Sequence, residues 1–246
     1  MINMEKVGMF SNYLAFDLET AKVRSPRIRD WMSHRPLGIS CAATYCQRAK
    51  EPVLWYGRKQ GRRPSSQMTA AEVGALVDYL LQQVSAGYTI VTWNGVGFDF
   101  DILAEESGMH SICKSLALGH VDMMFHVLCQ LGFGVSLNAA ARGMRLTRTY
   151  EKRKGALMPN LWADGRYEEV FSHVTRDART ILALAKTCRE RGFIRWITRW
   201  GTGRMMRLAD GWQNACTAQK APQPLQPPDD KKWSRDRLTA WMRLSD

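Results

Sequence analysis

The chain has 246 residues, 45% hydrophobic, 24% charged and 10% aromatic, a composition that suits one globular domain with an appended tail and excludes a disordered or fibrous protein. Its 35 Lys and Arg against 23 Asp and Glu leave a formal charge of +12, which points to a polyanionic partner, nucleic acid ahead of an anionic membrane. The six cysteines (Cys41, Cys46, Cys113, Cys129, Cys188 and Cys216) form no C-x-x-C pair, no signal-peptide core opens the chain, and no apolar run approaches the ~20 residues of a membrane helix. A reduced, cytoplasmic location is therefore expected, and zinc is not.

The first predicted strand, YLAFDLETA (13–21), carries two acids. Side chains two apart in a strand share a face, so Leu14, Phe16 and Leu18 look one way while Ala15, Asp17 and Glu19 look the other. LGISCAATYC (37–46) and PVLWYG (52–57) read as two more strands of a hairpin or meander, followed by a basic loop, RKQGRRPSS (58–66). In 69–86, Thr69 and Glu72 have capping-box spacing, and Val73, Leu76, Val77, Leu80 and Leu81 recur at helical intervals. YTIVTW (88–93) is a short apolar strand, and the turn NGVG leads into a helix, FDFDILAEESG. VDMMFHVLCQLG and SLNAAARGM read as two short helices, and RLTRTYEKRKGALMPN as a basic irregular stretch.

The last strong helix runs from about Arg166 to Arg191, with Val170, Val174, Ile181, Leu182 and Leu184 on its apolar positions. FIRWITRWGTGRMMRLADGW reads as a closing hairpin, APQPLQPPDD (221–230) as a Pro-rich linker, and WSRDRLTAWMRL as a short helix with Trp233, Leu238, Trp241 and Leu244 on one side. Three strands, a helix, a strand and then helices suggest a mixed α/β layer fold. Residues 1–190 are expected to form the main domain and 191–246 an extension.

Two adjacent carboxylates repel unless a positive charge lies between them. Asp99 stands just after a strand end, where ligands gather in α/β sheets, and Asp177 lies in the long late helix with His173 one turn before it. A pair of divalent cations would offset the repulsion of such a set.

D-x-E in the first strand, NGVGFDFDIL after the fourth and H-x-x-x-D in a late helix together resemble the DEDD superfamily of 3′–5′ exonucleases, above all the exonuclease domain of B-family DNA polymerases. HVDMMFHVL, SLNAAARGM and LWADGRYEEVFSHVTRDARTILAL resemble that family's connecting segments, so the likeness covers roughly residues 10–190. It implies a ribonuclease H-like mixed five-stranded sheet flanked by helices. It also implies two cations, Mg²⁺ or Mn²⁺, held by Asp17, Glu19, Asp99 and Asp177, one activating the attacking water and the other stabilising the leaving 3′-oxygen. Thr20 would meet the terminal 3′-hydroxyl, and Asn94 and Phe98 would line the pocket for the last nucleotide. The expected substrate is a single-stranded 3′ end, DNA slightly ahead of RNA. His173 departs from the family pattern, which uses a histidine five residues, or a tyrosine four residues, before the last aspartate. Here a histidine stands four before it, and it is expected to orient or deprotonate the water.

Each feature also has a plainer reading. Asp17 and Glu19 would suit an exposed strand face, Asp99 a helix N-cap, Asp101 a solvated surface position, Asp122 a cap that supports the site, and Asp177 an ion pair with Arg176 or Arg179. His34, His110, His120 and His126 read as surface or core histidines. The clusters Arg58/Lys59/Arg62/Arg63 and Arg145/Arg148/Lys152/Arg153/Lys154 are solvated loops or guides for substrate. Trp196 and Trp200, beside Arg195 and Arg199, are expected to pack the hairpin rather than stack on bases. The rival functions are a non-catalytic nucleic-acid-binding module, a structure-selective endonuclease on the same fold, and a subunit of a larger repair or phage-defence complex reached through the Trp-bearing tail.

Overall fold

The computed structural model describes residues 12–23, 31–59, 63–146, 155–222, 224 and 234–243. Arg62, residues 147–154, most of the Pro-rich segment, Trp233 and Leu244, on which several expectations rest, lie outside them.

Strand β1 (Asn12–Thr20) runs through the middle of a five-stranded sheet of order β3-β2-β1-β4-β5, with β2 (Ile39–Cys46), β3 (Val53–Tyr56), β4 (Tyr88–Thr92) and β5 (Val121–Asp122). β1 pairs antiparallel with β2 and β2 with β3, while β1–β4 and β4–β5 are parallel. The expected mixed sheet flanked by helices is thus present, its fifth strand only two residues long.

The alternation in β1 separates two cores. Leu14, Phe16 and Leu18 join one, built with α1 (Ala70–Ser85), α2 (Asp99–Ser107) and α3 (His110–Gly119). Tyr13 and Ala15 join the other, built largely with α7 (Tyr167–Arg191). A strand covered on both faces is the middle layer of three, where a polar pair needs a reason.

Helix α1 has the capping box in full: Thr69 Oγ1 accepts from Glu72 N–H, and the Glu72 carboxylate accepts from Thr69 N–H. Val73, Leu76, Val77 and Leu80 are buried, but Leu81, rotated about 100° from Leu80, leaves the apolar stripe and is 40% exposed. Helix α4 (Met123–Leu131) contributes to both cores, and α5 (Leu137–Gly143) and α6 (Met158–Ala163) precede α7.

Strands β6 (Phe193–Ile197) and β7 (Gly203–Arg207) make the expected closing hairpin. Trp196 is buried in it, whereas Trp200, expected to pack there too, is 75% exposed. Trp200 belongs to the connecting turn, beyond the reach of the core. The chain closes with α8 (Ala215–Ala218), α9 (Arg235–Leu238) and a 3₁₀ turn, Ala240–Arg243. Leu238, Trp241 and Met242 enter the first core, so this segment docks on its own domain. All six cysteines are free. Among the described residues, no helix is long and apolar enough to cross a membrane.

Candidate active site

The acids of β1 stand on a stretch lined with small residues. Asp17 faces Ala43 across the β1–β2 ladder and Glu19 faces Cys41, with a register shift between Glu19 and Thr20. Irregularities of this kind bend a strand and re-aim its side chains. Within Tyr13–Thr20 only Asp17 retains partial exposure, so the acids open to solvent at that point. Thr20 is buried just beyond them.

The turn after β4 delivers the third acid. Asn94 adopts a left-handed φ of 72°, which asparagine tolerates better than most residues. The Asp122 carboxylate holds this turn by accepting the N–H groups of Asn94 and Val96 at 2.9 Å each, while it also caps α4 through Phe125 N–H. Asp122 thus has the supporting role that its sequence position allowed. Asp99 is not the N-cap. That position is Phe98, which makes no side-chain cap bond, and Asp99 is the first helical residue of α2. Its Oδ1 accepts from Leu18 N–H at 3.1 Å, the amide between Asp17 and Glu19. One hydrogen bond therefore ties α2 to β1 between its two acids. Phe98 is half-buried beside the first core, and Asn94 Oδ1 is buried with no hydrogen-bond partner.

Helix α7 supplies the rest. His173 is buried, with Nε2 3.4 Å from Glu19 Oε1 and 3.6 Å from Asp177 Oδ2. Its Nδ1 lies 2.7 Å from Arg176 Nη2. Guanidinium only donates, so Nδ1 must accept, and a neutral imidazole then carries its proton on Nε2, facing the two carboxylates. Sequence reasoning missed this role of Arg176, although its spacing of three from His173 places both on one helix face. Arg179 pairs instead with Glu51. Gly155 closes the site from another side: a Cβ there would stand 3.8 Å from His173 Nε2 and 4.0 Å from Glu19 Oε1.

Burial, with neighbouring acids at Asp17 and Asp99, disfavours their charge. The Asp17 carboxyl is pushed well above the usual carboxylate range by burial first, then by Asp99, Asp177 and Glu19. Burial and the charge of Asp122 raise Asp99 to about 8, against the opposing Leu18 N–H, and burial raises Asp177 to about 6 despite Arg176. A carboxyl raised on folding contributes stability that is complete below its unfolded pKa and lost as pH climbs through the folded one. His120 and His126, both lowered to about 4 by burial, act in the opposite sense below about pH 6.5. The window that isolates the acids is therefore pH 6.5 to 8. In EDTA, Tm is expected to fall on the order of 5 °C across it, and Asp99→Asn or millimolar Mn²⁺ should flatten the fall. A flat Tm in EDTA would show that the acids are not under mutual strain.

The donor set suits hard divalent cations. It offers four carboxylates from three elements, and Asp177 Oδ1 is buried without a hydrogen-bond partner, the nearest cationic atom being Arg176 Nε at 3.9 Å. Among the described residues, however, no group of three or more His, Cys, Asp or Glu side chains is arranged to hold a metal ion. The acids lie close enough to raise one another's protonation without being gathered to coordination distance.

Asp101 is a correction. It is 5% exposed rather than a solvated surface acid, and it takes a bidentate contact from Arg35 at 2.8 Å to each oxygen. Arg35 also donates to Glu105, and Glu106 accepts from Gly38 N–H, so the acids of α2 clamp the turn before β2.

Residues 53–188 match the RNase_H_2 model of the RNase_H superfamily, a span that begins after β1 and its two acids. The family B DNA polymerase of the hyperthermophilic archaeon Pyrobaculum calidifontis is a structural neighbour, with a TM-score of 0.48 and 19% identity over 72% of this chain and 24% of the polymerase. The chain thus spans about a quarter of that polymerase's length. No curated protein matches. With the ribonuclease H-like sheet in place and more than half of its 246 residues matched, the chain belongs to the RNase_H superfamily.

Proposed function

We propose that the chain is a metal-dependent 3′–5′ exonuclease that hydrolyses phosphodiester bonds at single-stranded ends, DNA ahead of RNA. The observation that carries the reading is the convergence on β1 of acids from three elements: Asp99 accepts from the Leu18 amide between Asp17 and Glu19, and His173 stands between Glu19 and Asp177. Folding would not assemble such a set without a compensating cation. Asp17, Glu19, Asp99 and Asp177 would hold two divalent cations, which when bound offset the charge of acids and phosphate and make water a competent nucleophile.

The chain's own residues do the positioning. Thr20 follows Glu19, Phe98 precedes Asp99 and Asn94 opens the turn before it, and these three would receive the terminal nucleotide. A terminal nucleotide that enters such a pocket must leave the duplex, hence the single-stranded end. His173, with Nδ1 occupied by Arg176, presents an Nε2 donor, so its role is to orient water and phosphate rather than to accept a proton. His173→Ala should lower kcat about 10²-fold with oligonucleotide affinity unchanged, and His173→Gln should recover part of it. An unchanged kcat would remove His173 from the machinery.

The test is a 5′-labelled single strand of DNA, and RNA of the same sequence, incubated with Mn²⁺ and resolved at single-nucleotide steps. A ladder receding from the 3′ end, abolished by EDTA and absent on circular single-stranded DNA, is expected. Cuts in the circle would make the protein an endonuclease. That no three of these side chains are gathered to hold a cation among the described residues favours a second reading, a binding module without catalysis. Oligonucleotide binding indifferent to EDTA, with no product formed, would establish it.

A further inference from the structure

The β6–β7 hairpin has no part in the site just described. Its inner face is packed, with Ile194, Trp196 and Met206 in the second core, and α5 abuts it so closely that a Cβ on Gly143 would stand 2.2 Å from the Arg195 carbonyl oxygen. Its tip is ordered. Thr198 N–H donates to Thr202 O at 2.8 Å, Gly201 N–H donates to Thr198 O at 3.0 Å, and Gly201 takes the left-handed φ of 82° that the turn requires.

This rigid turn projects Trp200 into solvent at 75% exposure, with the Arg199 guanidinium 4.0 Å from its ring centroid. Around it, residues 193–207 carry Arg195, Arg199, Arg204 and Arg207 and no acid. Gly203, lacking a side chain, lets the Arg195 guanidinium lie across the hairpin, where a Cβ would stand 2.7 Å from its Nη2. A large aromatic held out of the core among cations is the arrangement that takes an unpaired base on its π-face and phosphates on its flanks.

We propose that this hairpin is a second nucleic-acid contact, which holds a single strand by stacking a base on Trp200 among the arginines rather than by the acids. The identity of the strand as the strand being degraded rests on the nuclease reading above; the binding itself does not. In sequence the hairpin lies beyond the site: Asp177 stands 14 residues before Arg191, and β6 begins after that.

Fluorescence anisotropy in EDTA tests the contact without relying on cleavage. Trp200→Ala should weaken binding of a labelled dT20 about tenfold, leave the dT20·dA20 duplex unaffected and leave the melting temperature unchanged, and Trp200→Phe should restore most of the loss. In Mn²⁺, the variant should show a raised KM on the 20-mer with kcat unchanged. Equal dT20 affinity for wild type and Trp200→Ala, or no binding by either, overturns the proposal and leaves the nuclease reading standing on its own ladder assay. Trp200-dependent binding without cleavage supports the contact and sinks the nuclease.

Discussion

An Asp17→Asn variant is expected to lose cleavage of a 5′-labelled strand by at least about 10³-fold while melting a few degrees higher than wild type at pH 7.5. Asparagine keeps the volume and one carbonyl oxygen of the residue but sheds the charge that Asp99, Asp177 and Glu19 oppose. The opposed signs distinguish this residue from a structural acid, whose removal costs stability and activity together. A protein can hold strained charge where function demands it, and neutralising that charge releases the strain. A melting temperature that drops with activity would mean that Asp17 supports the fold, and the reduced rate would then say nothing about catalysis.

The largest loss of stability is expected at a residue with no chemistry to perform. Arg35→Ala strips Asp101 of both its contacts and Glu105 of one, leaving a carboxylate with a side chain only 7% exposed and no counter-charge from that arginine. Breaking such a pair from one side costs about 3–5 kcal/mol, on the order of 10 °C in Tm for a chain of this size. Urea denaturation should show that loss, and Asp101→Asn in the same background should recover part of it, since the orphaned charge is then gone. A loss below about 1 kcal/mol would mean that water reaches Asp101 freely in the folded protein.

The two variants also mark what could and could not be read from residue order. That Asp17, Glu19, Asp99 and Asp177 would come near one another was legible from their places on a central strand, at a strand end and on a late helix, whereas their role as metal ligands rests on the resemblance. The face-splitting alternation of β1, the capping box at Thr69 and the apolar positions of α7 are local patterns, and local patterns survive in a sequence. Asp101 was misread because the arginine that neutralises it lies 66 residues away, a pairing that only the folded chain brings about. Helix α3 was not anticipated, since its N-cap, Met109, makes no side-chain bond and its stretch lacks the usual start signal. Trp200 was misplaced because a tryptophan in a hairpin normally packs, and nothing in its neighbours shows that the turn carries it past the core. For His173 the one-turn spacing was visible, but the tautomer was not: it depends on Arg176 donating to Nδ1, a matter of rotamers.

The bond from Trp241 Nε1–H to the Val96 carbonyl, 2.7 Å long, joins residues 145 apart in the chain. Leu238 meanwhile presses so closely on Gly97 that a Cβ there would stand 2.4 Å from its Cδ2. The turn that delivers Asp99 is therefore braced by nearly the last described residues of the polypeptide. Contacts of such long range form late, after the sheet and its helices have collapsed. The acids themselves meet earlier, as β1, α2 and α7 pack, so the brace is added to a turn already under their repulsion. What the last described residues add is a clamp that keeps Asp99 in place against that repulsion.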